Sequence, residues 1–138
     1  MTRYLDSSVV VNLLVGGSQA VAWNRQEPVC TSRLLGVEVR RTLLRMHGAR
    51  QMTDLQFADA AASLSLVEQV ATLVDLSAAV LTRASRAFPT PVRTLDAIHL
   101  ATALLLRERR FPDLVFATHD RQLALAARSL EFAVDGAG

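Results

Sequence analysis

The chain has 138 residues, 51% hydrophobic and 20% charged, with a formal net charge of +2, which suits one domain with a real core and excludes a disordered tail. No run of about 18 apolar residues occurs, so no membrane-spanning helix is expected; the apolar stretch Val9–Val15 follows Asp6 and lacks a small-residue cleavage site, so the reading is an unprocessed cytoplasmic protein. The single cysteine, Cys30, excludes an intramolecular disulfide and a cysteine metal cage, and the 15 basic residues are all arginine, which excludes any mechanism needing lysine.

Short apolar runs alternate with longer helical stretches, a pattern that predicts an α/β fold. The expectation is a three-layer α/β/α sandwich around a central, mainly parallel five-stranded sheet, with residues 1–138 forming one domain. The first strand is Arg3–Leu5, ending at Asp6, and a helix follows from about Ser8 to Val15, closed by Gly16-Gly17. Ser18 opens a second short helix through Arg25, and Pro28 breaks the chain before a strand over Val29–Thr31. Ser32 is the expected cap of a long helix to about His47, stopped by Gly48, and Thr53 caps another through about Leu64. Val70–Leu76 reads as a strand, and Ser77 starts a helix that ends before Pro89. After the loop Pro89–Arg93, Thr94 caps a helix to about Arg109 that is apolar on most faces and should be buried. Leu114–Ala117 is a core strand, Asp120 opens a helix to about Ser129, and Phe132–Val134 is a final edge strand.

In an open parallel sheet, sites form beyond the carboxyl ends of the strands. Four of the 13 acids fall where that end is expected. Asp6 follows the first strand, Glu38 lies about two turns into the helix after the second, Asp96 is in the first turn of the apolar helix, and Asp120 follows the Leu114–Ala117 strand. Each has a plainer reading as well. Asp6 and Asp120 are good helix N-caps. Glu38 sits among Leu34, Leu35 and Thr42 on its helical face, and a surface ion pair with Arg41 or Arg45 would also account for it. Asp96 is harder to dismiss, because Ala97, Ile98, Leu100 and Ala101 surround it and a charge there needs a partner. Together, four clustered carboxylates repel one another unless a cation holds them. Oxygen-only ligands suit Mg2+ or Mn2+, and one or two such ions activate water for attack on a phosphodiester.

These residues carry a family resemblance. Tyr4-Leu5-Asp6-Ser7-Ser8-Val9-Val10 resembles the opening motif of PIN-domain proteins, and Glu38 with Val39 and Arg41 resembles their second acid in its Glu-x-x-Arg context. Thr94-Leu95-Asp96-Ala97-Ile98-His99-Leu100-Ala101-Thr102-Ala103 resembles the Asp-Ala-x-x-x-Ala-x-Ala signature, and Thr118-His119-Asp120 the closing Thr-x-Asp. No one motif is specific, but the four occur in order and span essentially the whole chain. The compact size resembles the VapC-type toxins of type II toxin–antitoxin pairs.

The resemblance implies a divalent-metal-dependent endoribonuclease that cuts structured RNA, transfer or ribosomal, and so inhibits translation and growth. It implies Asp6, Glu38, Asp96 and Asp120 as the catalytic and Mg2+- or Mn2+-binding acids, with Ser8 and Thr118 orienting carboxylates or water. A 5′-phosphate and a 3′-hydroxyl are the products it implies. Homodimerisation and inhibition by a small VapB-like antitoxin, whose C-terminal segment covers the site, are the partners it implies.

Weaker candidates lie around these acids. His99, one turn from Asp96, reads first as a helix-packing histidine and second as a substrate contact. Arg41, Arg45, Arg86 and Arg93 are ordinary solvated surface individually, or together an RNA path. Trp23 is either core or a partner anchor, and Cys30 a small core residue. Other chemistries on such a sheet fare badly. A haloacid-dehalogenase-type phosphatase needs a second Asp where Ser8 stands, and a receiver domain needs the missing lysine. A regulatory module that complexes an antitoxin without catalysis stays open on sequence alone.

Overall fold

The computed structural model describes residues 1–16 and 27–136. The expected helix Ser18–Arg25 and Trp23 within it lie outside these described residues. In chain order the elements are β1 (Arg3–Leu5), α1 (Ser7–Leu14), β2 (Val29–Ser32), α2 (Leu34–Gly48), α3 (Asp54–Val70), β3 (Thr72–Val74), α4 (Ala78–Ala84), α5 (Thr94–Arg109), β4 (Val115–Ala117), α6 (Arg121–Ser129) and β5 (Ala133–Asp135).

The five strands form one sheet in the order β3-β2-β1-β4-β5, and every pairing is parallel. The chain starts in the middle, winds out to β3, returns to β4 beside β1, and ends at β5. The winding direction therefore reverses between β1 and β4. At such a switch point the connections leave the two strands on opposite faces, and a crevice opens at their carboxyl ends. Register brings the two ends level: Leu5 pairs with Ala117, so Asp6 and Thr118 emerge side by side.

The central strands β1, β2 and β4 are buried on both sides because their residues alternate between two cores, while the edge strands β3 and β5 are only partly covered. Leu5, Val29 and Ala117 pack with Val9, Val10, Leu35, Val39, Leu43, Leu64 and Val67 from α1, α2 and α3. Their neighbours Tyr4, Cys30 and Phe116 face the other way, among Leu100, Leu104, Leu123 and Ala127 from α5 and α6. Tyr4 and Phe116 stack with centroids 5.3 Å apart at the centre of that second layer. Helix α5 is buried at every position from Ala97 to Leu104, the all-round burial its composition predicts.

Several boundaries differ from the sequence reading. Helix α3 runs to Val70, six residues past the expected Leu64, because Ala60, Leu64 and Val67 form a continuous buried stripe against the sheet. The strand expected over Val70–Leu76 shrinks accordingly to Thr72–Val74. Ser32 ends β2 instead of capping α2: the Arg33 amide still donates to the Val74 carbonyl, so the helix starts after it. The Ser32 hydroxyl nevertheless accepts from the Leu34 amide at 3.1 Å. Thr94 is the first residue of α5, with Arg93 at the cap position. Gly48 closes α2 from inside, and the left-handed residue that follows is Arg50, at φ 57°. Gly16, at φ 71°, ends α1 as expected.

Candidate functional site

The crevice at the β1/β4 switch is acidic. Asp6 is the N-cap of α1 and is almost fully buried, at 4% exposure. One carboxylate oxygen, Oδ2, accepts from the Ser8 hydroxyl at 2.7 Å, the Thr118 hydroxyl at 2.9 Å and the Ser8 amide at 3.4 Å. Capping and site-building are thus one arrangement: the geometry that satisfies the helix start also locks the carboxylate. The Ser8 oxygen accepts in turn from the His119 amide at 3.0 Å, and Thr118 Oγ1 from the Asp120 amide at 3.0 Å. This lattice of short bonds ties the end of β1 to the end of β4.

Asp120 caps α6 through a 3.0 Å bond from the Leu123 amide to Oδ1, and remains exposed. Asp96, in the first turn of α5, is half-buried. A hollow of about 360 Å³ is lined by Asp6, Asp96 and Asp120 with Ser7, Ser8, Val11, Asn12, Val15 and Thr42. A second hollow of about 460 Å³ shares Asp96 and Asp120 and continues along Pro91, Val92, Arg93 and Gln122. The Asp96 carboxyl is pushed up to about 6, first by burial, then by the charges of Asp6 and Asp120 and more weakly by Glu38, with His99 opposing. Three carboxylates from other parts of the fold therefore act electrostatically on Asp96.

Glu38 projects from α2 toward the same end of the sheet, but its partner is neither Arg41 nor Arg45. His99 Nε2 lies 2.5 Å from Glu38 Oε1 and 4.0 Å from Asp6 Oδ1. The other imidazole nitrogen, Nδ1, is 2.6 Å from the Tyr4 hydroxyl. His99 is fully buried, so the packing role expected first is met, yet both its nitrogens are bonded and one reaches the acid cluster. Burial alone would pull its pKa down; the Glu38 hydrogen bond and the charges of Asp6, Glu38 and Asp96 outweigh burial and set the net shift upward. Burial and the Asp6 charge hold the Tyr4 phenol well above its usual range, so Tyr4 stays protonated. Burial likewise pushes the Cys30 thiol up to about 12, and Cys30 is the inert core residue expected.

Asn12 was missed by sequence reasoning. It lines the first hollow, and its Oδ1 is buried without a hydrogen-bond partner among the described residues. The signal was present: Asn12 is the one polar residue within the Val9–Val15 run and follows Ser8 by one helical turn. Of the arginine candidates, Arg93 lines the second hollow, Arg86 lines a separate one beside Phe88 and Pro89, and Arg41 and Arg45 are exposed on α2 away from these walls.

The donor set is all oxygen apart from the engaged histidine, and it carries an excess of negative charge, which suits a hard divalent ion. Among the described residues no three His, Cys, Asp or Glu side chains close on a single ligating point. An open basin of this kind fits Mg2+, which keeps several waters and takes one or two carboxylates plus substrate phosphate instead of an all-protein cage.

The fold and site define a doubly wound α/β/α sandwich with three aspartates around its switch-point crevice. More specifically, the chain belongs to the PIN domain family, which matches residues 3–129. It is similar to Ribonuclease VapC46 of Mycobacterium tuberculosis H37Rv, 35% identical over 136 residues that cover 95% of this chain and 94% of that protein. Ribonuclease VapC45 of M. tuberculosis CDC 1551 is 34% identical over 131 residues, covering 91% and 89%. Two solved structures share the fold. A chain of a toxin-antitoxin complex from Klebsiella pneumoniae superposes with a TM-score of 0.61 at 19% identity, covering 90% of this chain and 91% of that one. A protein from Pyrobaculum aerophilum does so with 0.60 at 17% identity, covering 97% and 83%.

Proposed function

We propose that this chain is an endoribonuclease of the VapC type, the toxin of a toxin–antitoxin pair, acting as a single nuclease domain. The observation that carries the reading is the convergence of Asp6, Asp96 and Asp120 on one hollow, with Glu38 in electrostatic reach. Its likeness to ribonucleases along nearly its whole length supports the reaction class.

Asp6, Glu38, Asp96 and Asp120 are the residues to hold Mg2+ or Mn2+, which when bound supplies Lewis-acid stabilisation of the phosphodiester and a more acidic water. The chain's own groups do the rest. Ser8 and Thr118 both bond Asp6 Oδ2 and so leave Oδ1 as the oxygen that Asp6 offers to the hollow. Asp96, its carboxyl pushed up to about 6 by burial and its acidic neighbours, gains from a cation that offsets those charges. The Arg93 side of the second hollow gives the RNA backbone a positive wall beside the acids. Attack by water yields a 5′-phosphate and a 3′-hydroxyl. Transfer or ribosomal RNA is the substrate class, a homodimer the working assembly, and a small antitoxin the inhibitor that covers the acids.

The test is cleavage of total cellular RNA by purified, antitoxin-free protein with Mg2+, with Mn2+ and with chelator, beside Asp96→Asn. Discrete fragments that require metal and vanish in the variant are expected. Full activity in Asp96→Asn, or cleavage untouched by chelator, would overturn the assignment.

A further inference from the structure

Of the four acids, the lattice around Asp6 reaches neither Asp96 nor Glu38, and of those two Glu38 lines neither of the hollows described above. It stands on α2, outside the β1/β4 crevice, and no bond from Ser8, Thr118 or a helix cap holds it. What holds it is His99, through a chain of contacts from three elements: Tyr4 on β1, His99 on α5 and Glu38 on α2. Tyr4 and His99 are both fully buried. The Tyr4 ring is fixed by its stack on Phe116 and meets the imidazole edge-on, with centroids 5.8 Å apart. The imidazole therefore has one orientation, and its Nε2 meets Glu38 Oε1 at 2.5 Å. A carboxylate on a helix face has several rotamers, and a long acidic side chain gains order only from a partner that is itself immobile.

We propose that His99 is a positioning residue: braced by Tyr4, it holds Glu38 by Oε1 at the margin of the acid cluster and leaves Oε2 to serve a divalent cation there. The inference rests on the metal-dependent reading of the site and assigns within it a role that packing alone does not require. A packing histidine needs neither a bond to a second buried side chain nor a reach of 4.0 Å to Asp6. It also gives Tyr4 a purpose beyond its ring, since the hydroxyl lies where Phe would leave the imidazole unbraced.

The test measures Mn2+ affinity of the protein free of RNA, by calorimetry, in wild type, His99→Leu, His99→Gln, Tyr4→Phe, Glu38→Gln and the double variant Glu38→Gln/His99→Leu. Loss of an outer-shell partner of a metal ligand typically costs 10–100-fold in affinity, which is the loss expected for His99→Leu. His99→Gln, whose amide can still donate to Glu38, recovers much of it, and Tyr4→Phe loses less than His99→Leu. The double variant binds no more weakly than Glu38→Gln alone, because His99 acts through Glu38. A purely structural histidine would weaken binding in both backgrounds alike. Thermal melts identify any variant that fails to fold, and Tyr4→Phe, which keeps the ring and its stack, carries the test if His99→Leu does. A downfield imidazole N–H proton, present in wild type and displaced in Glu38→Gln, reports the His99–Glu38 bond without metal. Unchanged or tighter Mn2+ binding in His99→Leu overturns the positioning role while leaving the metal site standing. No Mn2+ binding by wild type overturns both.

Discussion

Replacing Asp96 by Asn removes a charge that the metal-free fold holds at a cost. Its carboxyl rises from the ordinary 3.8 to about 6, through burial first and the neighbouring acids second. About two units correspond to roughly 3 kcal/mol, but a half-exposed group is screened by solvent, and about 1–1.5 kcal/mol is the defensible figure. The first turn of α5 favours a negative charge by about 0.5 kcal/mol, which the variant gives up, so the net gain is about 0.5–1 kcal/mol. A carboxyl whose folded pKa exceeds its unfolded value stays protonated longer in the folded state, so ionisation works against folding. The cost is absent below pH 3.8, grows between 3.8 and about 6, and is complete above that. At pH 7.5 without metal, Asp96→Asn is therefore expected to melt about 2–4 °C above wild type. At pH 4 the advantage disappears. Adding Mg2+ at about 100 times its dissociation constant stabilises wild type by about 2.7 kcal/mol and inverts the order, while RNA cleavage is lost throughout. The assay is differential scanning calorimetry across pH, with and without Mg2+. A variant that melts below wild type at pH 7.5 without metal, or a difference that ignores pH, would refute the claim that burial and the neighbouring acids act against the Asp96 charge.

Three further outcomes follow from the same geometry. Asp6→Ala removes both the α1 cap and the acceptor for Ser8 and Thr118 and should cost about 1–2 kcal/mol in urea denaturation, whereas Asp6→Asn keeps most of the cap; cleavage is lost in both, and equal stability of the two would contradict the dual role. Thr53→Ala breaks the capping box with Gln56 at the start of α3, so it should cost about 1 kcal/mol in the same measurement with RNA cleavage unchanged, because Thr53 lines neither hollow that the acids face. Arg93→Gln should weaken RNA binding and reduce the slope of log affinity against log salt by about 1, as expected for one lost phosphate contact; an unchanged slope would place the RNA elsewhere.

The elements and the acids were legible in the sequence for local reasons. Asp6, Ser77 and Asp120 cap helices through bonds to residues two or three positions on, and Gly16 ends one by taking a positive φ. The parallel sheet followed from short apolar runs alternating with helical stretches, and the rule that sites form at strand carboxyl ends pointed to Asp6, Glu38, Asp96 and Asp120. Helix α3 was misjudged because the residues after Leu64 carry little periodic signal of their own: Val67 extends the helix by packing on the sheet, and no local pattern announces that.

What tertiary structure alone decided lies in contacts between residues far apart in the chain. Helical spacing offered Glu38 two arginines within a turn or two, and the fold gave it His99, 61 positions away, because α2 and α5 approach from opposite faces of the sheet. Asp6 and Thr118 meet across 112 positions only because β1 and β4 pair in register at the switch point. His99 is one letter within an apolar helix; that it bonds Tyr4 on one side and Glu38 on the other is set by which strand packs beneath it. Short-range periodicity determines which residues turn inward and which elements form. The distances and charges that make a site depend on which inward-facing residues are brought together, and that is a property of strand order, register and the common core.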